Sequence, residues 1–483
     1  MISPIRSAAR ALAAAAALVL APSLVRAQEG APAPVAITHA TVIDVERGRP
    51  VRDQTVVVSG GRITAVGPAG RVAVPAGARV VDGRGKYVIP GLWDMHVHAA
   101  MPGIAQHFLP LLAANGVTGV REMFSTLPTM KAVRAQVDSG KILGPRMVGS
   151  GHILDGRPPV WFGSAVATTA DEGRRAVDSL AAGGAEFIKV YSRLPRDAYF
   201  AIAEAAKARG IPFAGHVPSL VGVDEASAAG QKSIEHMTGV LSACSPRDAE
   251  MRDTVARRVA AGGWTAVTGG TARTRALMES YDEGRCRALA RTLARNGTWL
   301  VPTMVTLRNT SFLDDTTLAA DPRMRFVSKG FGQSWNPRND FRFRTLTAED
   351  WAVRHASHAH LVRIIRLMRE EGVPFLAGTD LSNPYVYPGF SLHDELAELV
   401  GVGFTPAQAL RAATSDAVRY LGLADSAGTV AAGKHADLVV LDADPLADIR
   451  AVGRIHAVVL RGRLIDAAER ARLLAEGEAR AAR

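Results

Sequence analysis

Val88-Ile89-Pro90-Gly91-Leu92-Trp93-Asp94-Met95-His96-Val97-His98 is an apolar segment that ends in two histidines separated by one residue. Side chains at i and i+2 of a strand share a face, so a strand here aims His96 and His98 to the same side at its carboxyl end. Two imidazoles so placed can hold one metal ion. A lone His-x-His pair is a frequent accident of sequence, and its weight depends on what the rest of the chain puts beside it.

Working outward, the apolar segment is the first of eight strand candidates, each followed by helical pattern. The others are Gly116 to Met123, Pro145 to Gly151, Ala185 to Ser192, Ile211 to Pro218, Gln231 to Met237, Trp299 to Val305 and Val373 to Asp380. Short apolar strands alternating with helices predict a parallel sheet, and eight of them predict a closed (β/α)8 barrel of the TIM type, an α/β fold. One intervening helix is well defined by Asp197 as N-cap, helix formers from Tyr199 to Ala208, and a stop at Gly210.

The chain ends read differently. Ile37 to Val88 alternates apolar and polar residues between turns, and Ala436 to Leu441 and His456 to Gly462 do so again. The two stretches predict one small β-sandwich domain built from both chain ends. The expected organisation is a signal peptide at 1–27, half of the β-sandwich at 28–88, the barrel at 89–424, the second half at 425–470 and a helical tail at 471–483.

Three further barrel strands end in metal-competent residues: His216 in Phe213-Ala214-Gly215-His216, His236 in Ile234-Glu235-His236, and Asp380 in Gly378-Thr379-Asp380. Each alone is more simply a core histidine or a capping aspartate. Their coincidence with His96 and His98 at the end where barrels build their sites points to a metal centre. Lys189, in Phe187-Ile188-Lys189-Val190-Tyr191, interrupts a strand that is otherwise apolar. Burial beside metal ions would depress its pKa and let the neutral amine capture carbon dioxide as a carbamate. The alternative is an ordinary lysine paired with Glu186 or Glu235.

The spacings after Met237 and after Val305 are long, and the second carries Arg323, Arg325, Trp335, Arg338, Phe341, Arg342, Phe343 and Arg344. An irregular cationic insertion there is either a lid over the site or a solvated excursion. His355, His358 and His360 do not share one helical face, and they read as a solvated helix surface rather than a ligand set.

Arg6 and Arg10, the apolar run Ala11 to Ala21 and the exit Val25-Arg26-Ala27 form a secretory signal, which predicts a periplasmic or secreted protein without stable membrane insertion. The formal charge of +11 is scattered along the chain without interleaved aromatics, which argues against nucleic acid as a partner. Cys244 and Cys286 form either one disulfide or two buried thiols. Self-association into a homo-oligomer stays open.

Taken together, the Val88 to His98 segment, Asn115 to Met123, Phe187 to Tyr191, His216, Glu235-His236, Gly378 to Asp380, Gly428-Thr429-Val430 and Gly433 to Val440 resemble the amidohydrolase superfamily. The likeness is to its imidazolonepropionase-related and Xaa-Pro-dipeptidase-like branch. The resemblance implies two divalent cations, zinc by default: one held by His96, His98 and Asp380, the other by His216 and His236. Carboxylated Lys189 and a hydroxide would bridge them. It implies Asp380 as the acceptor of the water proton and its donor to the leaving amine. It also implies that Tyr191 hydrogen-bonds a substrate carboxylate. His152, after the third strand, joins the pocket or packs a loop, and His393 orders the loop after the last strand.

The implied activity is cleavage of an amide bond in a dipeptide or an N-acyl amino acid. A lactonase or other carboxylic ester hydrolase could use the same centre. A deaminase of this superfamily places a Glu shortly after the fifth-strand histidine, whereas Val217-Pro218-Ser219 follows His216 here. A non-catalytic relative would lack ligands, and none is missing.

Overall fold

The computed structural model describes residues 33–264 and 270–483, so the expected signal peptide lies outside the described residues. Among them, no helix is long and apolar enough to cross a membrane. The interior is α/β with parallel strands. Leu92–Val97 (β1), Val117–Glu122 (β2) and Arg146–Gly149 (β3) form one parallel sheet. Ile188–Val190 (β4), Phe213–Gly215 (β5), Ser233–Glu235 (β6) and Trp299–Val301 (β7) form a second, extended beside β4 by Ile153–Asp155 and Ala165–Val166. Glu186 N donates to Gly149 O at 3.0 Å, which ties the entry of β4 to the end of β3.

The eighth expected strand, Val373 to Asp380, is not a ladder. It makes single parallel bridges, Phe375 to Leu300 and Leu381 to Val97, and its amides at Leu376 and Asp380 donate to Leu300 O and His96 O. Its backbone leaves strand geometry because Asp380 has φ 59° and Ser382 φ 100°. A Cβ on Gly378 would stand 2.9 Å from His96 N, so only glycine fits where this segment passes β1. The helix expected from Tyr199 runs Arg196–Ala208, with Pro195 at the cap position. Asp197 is therefore a first-turn acid facing the helix dipole, not the cap.

The two chain ends share one eight-stranded sheet, in the order Arg463–Ile465, Ile455–Leu460, Leu438–Leu441, Tyr87–Pro90, Val35–Asp44, Arg49–Ser59, Arg62–Pro68, with Arg79–Asp82 also on Val35–Asp44. A sandwich implies two sheets. Here antiparallel pairing of Leu438 to Leu441 with Pro90 to Tyr87 makes the hydrogen bonding continuous across both halves. The sheet curls instead: Ile63 N donates to Lys434 O and Ala436 N to Gly61 O, around a core of Ile37, Val56, Ile63, Val88, Leu438, Val440 and Val459. The C-terminal helix, Ala467–Ala481, starts before residue 471 because Asp466 accepts from Glu469 N and caps it. Gly477 lets it lie against Leu111, which a Cβ would meet at 2.5 Å.

Among the described residues, the long connection after β6 contains four helices, and Cys244 and Cys286 within it are disulfide-bonded. The connection after β7 is more ordered than its composition implies, with helices Met304–Ser311, Lys329–Ser334 and Ala348–Glu370. Trp335 anchors it, buried against Phe331, Tyr385 and Tyr387.

Candidate active site

His96, His98, Lys189, His216, His236 and Asp380 all line one cavity of about 490 Å3 at the carboxyl ends of the parallel strands. His96 sits on β1 and His98 one residue beyond it, Lys189 within β4, and His216 and His236 immediately after β5 and β6. His236 and Asp380 both take positive φ, 56° and 59°. Left-handed backbone at non-glycine residues is costly and persists where the surroundings enforce it, as at functional sites.

The nitrogens turned away from the cavity are held by second partners. His96 Nδ1 is 2.8 Å from Glu235 Oε2, a carboxylate that can only accept, so Nδ1 carries the proton and Nε2 the lone pair. Thr303 donates its hydroxyl proton to Pro302 O and therefore accepts from His236 Nδ1 at 2.7 Å, with the same result. His216 Nδ1 pairs with Ser192 Oγ at 2.8 Å. Nε2 of His96 and Nε2 of His216 are buried without a hydrogen bond. Asp380 lies among the rings, with Oδ1 3.0 Å from His98 Nε2 and 3.4 Å from His96 Nε2, and Oδ2 3.7 Å from His236 Nε2.

Electrostatics favour the ligand forms of these groups. Burial pushes the pKa of His96 and His216 well below the ordinary histidine value, and neighbouring Lys189 and His236 add to it. Burial brings His236 to about 4 against the pull of Asp380. Burial alone would raise Asp380, but His236, His98 and Lys189 outweigh it and leave the carboxyl at about 2. Neutral imidazoles around an ionised carboxylate are what a divalent cation requires. Donor atoms of His96, His236 and Asp380 lie within 4.8 Å of one another, so the residues fit a metal ion.

Lys189 is buried, and burial lowers its amine to about 8 although Glu235 and Asp380 oppose the shift. Neither carboxylate considered as its partner from sequence is available. Glu186 is engaged with Arg134 at 2.5 Å and Gly149 N, and Glu235 with Arg121 and His96. Among the described residues, no carboxylate stands within ion-pair distance of Lys189.

Tyr191 stacks on His216 with ring centres 3.9 Å apart, and its oxygen accepts from Trp161 Nε1 at 2.8 Å, which leaves its own O–H to donate. His152 does not line the cavity; it lies in the bend before the strand Ile153–Asp155, and the next residue, Ile153, takes the place on the cavity wall. His393 does not order the loop after the last strand but bonds Asn115 O at 2.9 Å, at the turn before β2. His355, His358 and His360 are half-buried rather than solvated, packed against Phe312 and Tyr281, and stand outside the cavity lining.

Several site residues escaped sequence reasoning. Arg121, fully buried, donates to Met95 O, Ser233 Oγ, Tyr420 Oη and both oxygens of Glu235, and so fixes the carboxylate that orients His96. Glu122 Oε2 accepts from the amides of Ala99 and Ala100 and so shapes the turn after His98. Asp94 accepts from Thr379 N and Oγ1 and tethers the approach to Asp380. Polar residues inside apolar strands were the available signal. The insertion after β7 contributes Phe331, Arg342, Phe343 and Arg354 to the cavity, whereas Arg325, Arg338 and Arg344 are exposed.

A segment is 36% identical over 98 residues to adenine deaminase 2 of Bradyrhizobium sp. (strain ORS 278), covering 20% of this chain and only 14% of that protein. Over most of the chain the similarity is structural. Bottromycin amidohydrolase matches with a TM-score of 0.72 and 25% identity, covering 93% of this chain and 90% of its own. A provisionally assigned prolidase from Bifidobacterium longum matches at 0.64 and 26%, covering 93% of this chain and 100% of its own. The sequence profile described as "Amidohydrolase family" matches residues 87–465, most of the chain, and the protein belongs to that family.

Proposed function

We propose that this protein is an exported amidohydrolase that cleaves the C–N bond of a dipeptide or an N-acyl amino acid at a centre of two divalent metal ions. The observation that carries the reading is the convergence of four histidines, Asp380 and Lys189 on one cavity, with Nε2 of His96 and His216 free of other bonds. In this reading the two parallel sheets and the segment from Val373 close into a (β/α)8 barrel. The hydrogen bonds from Leu376 to Leu300 and from Met95 to Ala377 support that closure.

His96, His98 and Asp380 would hold one ion, His216 and His236 the other, with Lys189 as a carbamate shared between them. The depressed amine and the missing ion pair at Lys189 support this. The ions, zinc by default, would supply Lewis-acid polarisation of the carbonyl and a lowered pKa for the attacking water. The chain does the rest. Asp380, kept ionised near neutral pH, takes a proton from water as the C–O bond forms, and returns it to the amine as the C–N bond breaks. The free O–H of Tyr191 donates to a substrate oxygen. The likeness to bottromycin amidohydrolase and to the Bifidobacterium prolidase-class protein supports amide substrates. No acid follows His216, which weighs against a deaminase reading.

The N-terminal signal and the Cys244–Cys286 disulfide support a periplasmic or secreted location. The test is the metal content of the purified protein together with a screen of Xaa-Pro and other dipeptides, N-acyl amino acids and lactones. About two ions per chain with amide cleavage is the expected outcome. One ion or none, with no cleavage, overturns the reading, and cleavage of lactones alone would reassign the protein as an ester hydrolase.

A further inference from the structure

The insertion after β7 puts two arginines on the cavity wall, and they differ in one respect. Arg342 is fully engaged: Nε and Nη2 bind the Asp340 carboxylate, Nη2 at 2.7 Å, and Nη1 donates to Asn383 Oδ1 at 2.9 Å. Arg354, on the helix Ala348–Glu370, has no carboxylate within ion-pair distance among the described residues. Its Nε and Nη2 reach only the carbonyl of Thr310, at 3.3 and 3.0 Å. The two guanidinium carbons each stand 4.9 Å from the ring centre of Phe343, one on Arg342 and one on Arg354. Asp314 acts on Arg354 only at a distance, its carboxylate being bound to His355 Nε2 at 2.9 Å, so of the two arginines only Arg342 has a carboxylate bound directly to it.

A guanidinium in apolar surroundings without a directly bound counter-ion is unfavourable, and burial together with the neighbouring Arg342 lowers the pKa of Arg354 against the weaker pull of Asp314. The arrangement makes sense when an anion arrives with the ligand, because an arginine paired with a carboxylate forms short, strong hydrogen bonds. The same cavity is lined by Met101, Phe124, Ile153, Leu307 and Phe331, which offer nothing polar. Its volume of about 490 Å3 suits a ligand of dipeptide size.

We propose that Arg354 is the receptor for a carboxylate of the substrate, so that the preferred substrates join a bulky apolar side chain to a negative charge. This rests on the amide-hydrolase reading and names its substrate class. Arg354 acts by binding and orienting, with Arg342 and Phe343 holding its wall in place.

Matched substrates read the charge directly: N-acetyl-L-phenylalanine with its carboxylate on the amine half, N-succinyl-L-phenylalaninamide with a carboxylate on the acyl half, and neutral N-acetyl-L-phenylalaninamide. The measured quantity is the ratio of kcat/KM for each charged substrate to the neutral one, in the metal-loaded wild type and in Arg354→Gln. We expect at least one ratio to fall about 10- to 100-fold, mainly through KM. Which ratio falls identifies the half that carries the carboxylate. Arg354→Lys, which keeps the charge, should restore part of the loss. Ratios unaltered in Arg354→Gln overturn the proposal. If the wild type cleaves none of the three, the amide reading fails instead, and calorimetric titration with both N-acetyl-L-phenylalanine and N-succinyl-L-phenylalaninamide still decides this point. Binding of either that weakens at least about 10-fold in Arg354→Gln supports the anion receptor, and equal binding of both overturns it.

Discussion

Glu235 Oε2 lies 2.8 Å from His96 Nδ1, and the same carboxylate takes two hydrogen bonds from the fully buried Arg121. The inward-facing Nε2 of His96 thus depends on a chain of contacts running beneath the cavity floor. Partners of this kind fix the tautomer and the ring orientation of a metal-binding histidine, and their loss costs about 10- to 100-fold in metal affinity. Glu235→Gln should show that loss in a competition titration with a chelator. It should also lower stability, because Arg121 keeps its burial and loses its counter-ion. Unchanged metal affinity in the variant would separate Glu235 from the metal centre.

Among the described residues, Asp380 is the one ionised carboxylate close to three imidazoles, at 3.0 to 3.7 Å. Asp380→Asn keeps the shape and removes the proton acceptor. Turnover should fall by about 10^2 to 10^4, the usual contribution of a positioned general base, while most of the metal stays bound. Metal analysis and kcat on the same preparation check both halves, and normal turnover in the variant would exclude Asp380 as the base.

These residues were legible in the sequence for a physical reason. His96, His216 and Asp380 end or follow apolar segments, His236 closes the short Ser233-Ile234-Glu235 strand, and a two-residue period leaves little choice about which way His96 and His98 face. Lys189 stood out because every neighbour in its strand is apolar. The supporting groups were harder to see. Arg354 lies in a 23-residue helix amid other charged residues, where its pattern is that of a solvent face. Only the fold of the insertion, pinned by Trp335, carries it to the cavity. The eighth strand was overread because Val373 to Asp380 has strand composition, while its passage over His96 demands Gly378 and a left-handed Asp380. The continuous end sheet was hidden for another reason: alternation reveals which face is buried, and says nothing about which edges pair.

The disulfide between Cys244 and Cys286 closes 42 residues of the connection after β6. Cross-linking a loop of that length stabilises a fold by about 4 kcal/mol in the chain-entropy account. Neither cysteine lines the cavity. Replacing both with serine should therefore lower the melting temperature by several degrees and leave the metal content as in the wild type. Loss of metal in the double variant would show that the four-helix connection also supports the site.

Glu395 offers a pH test of how the insertion is held. It is fully buried, its Oε2 accepts from Val305 N at 2.8 Å, and its Oε1 has no partner. It thereby caps the helix Met304–Ser311, whose residues Thr306, Leu307 and Thr310 line the cavity. Burial pushes its carboxyl from 4.5 up to about 8, against the amides of Val305 and Met304, with Glu398 and Asp94 adding to the rise. The folded state then holds a proton that the unfolded chain releases near pH 4.5, so the stabilisation is complete below that pH and drains away as the pH climbs to about 8. Asp94 and Glu122, both raised to about 7 by burial, steepen the same decline but finish earlier. Below the ordinary histidine range His96, His216 and His236, held neutral by burial, take up protons on unfolding and oppose this decline, so denaturant unfolding of the metal-free protein should show the fall between about pH 7 and 8, by about 1 kcal/mol. Glu395→Gln, which keeps an acceptor for Val305 N and cannot ionise, should flatten the part of the curve between about pH 7 and 8, where Lys189 also titrates but does so in both proteins and cancels in the comparison. Curves that run parallel for the two proteins across that interval would mean that Glu395 stays ionised in the fold, and that the nearby amides of Val305 and Met304 outweigh its burial.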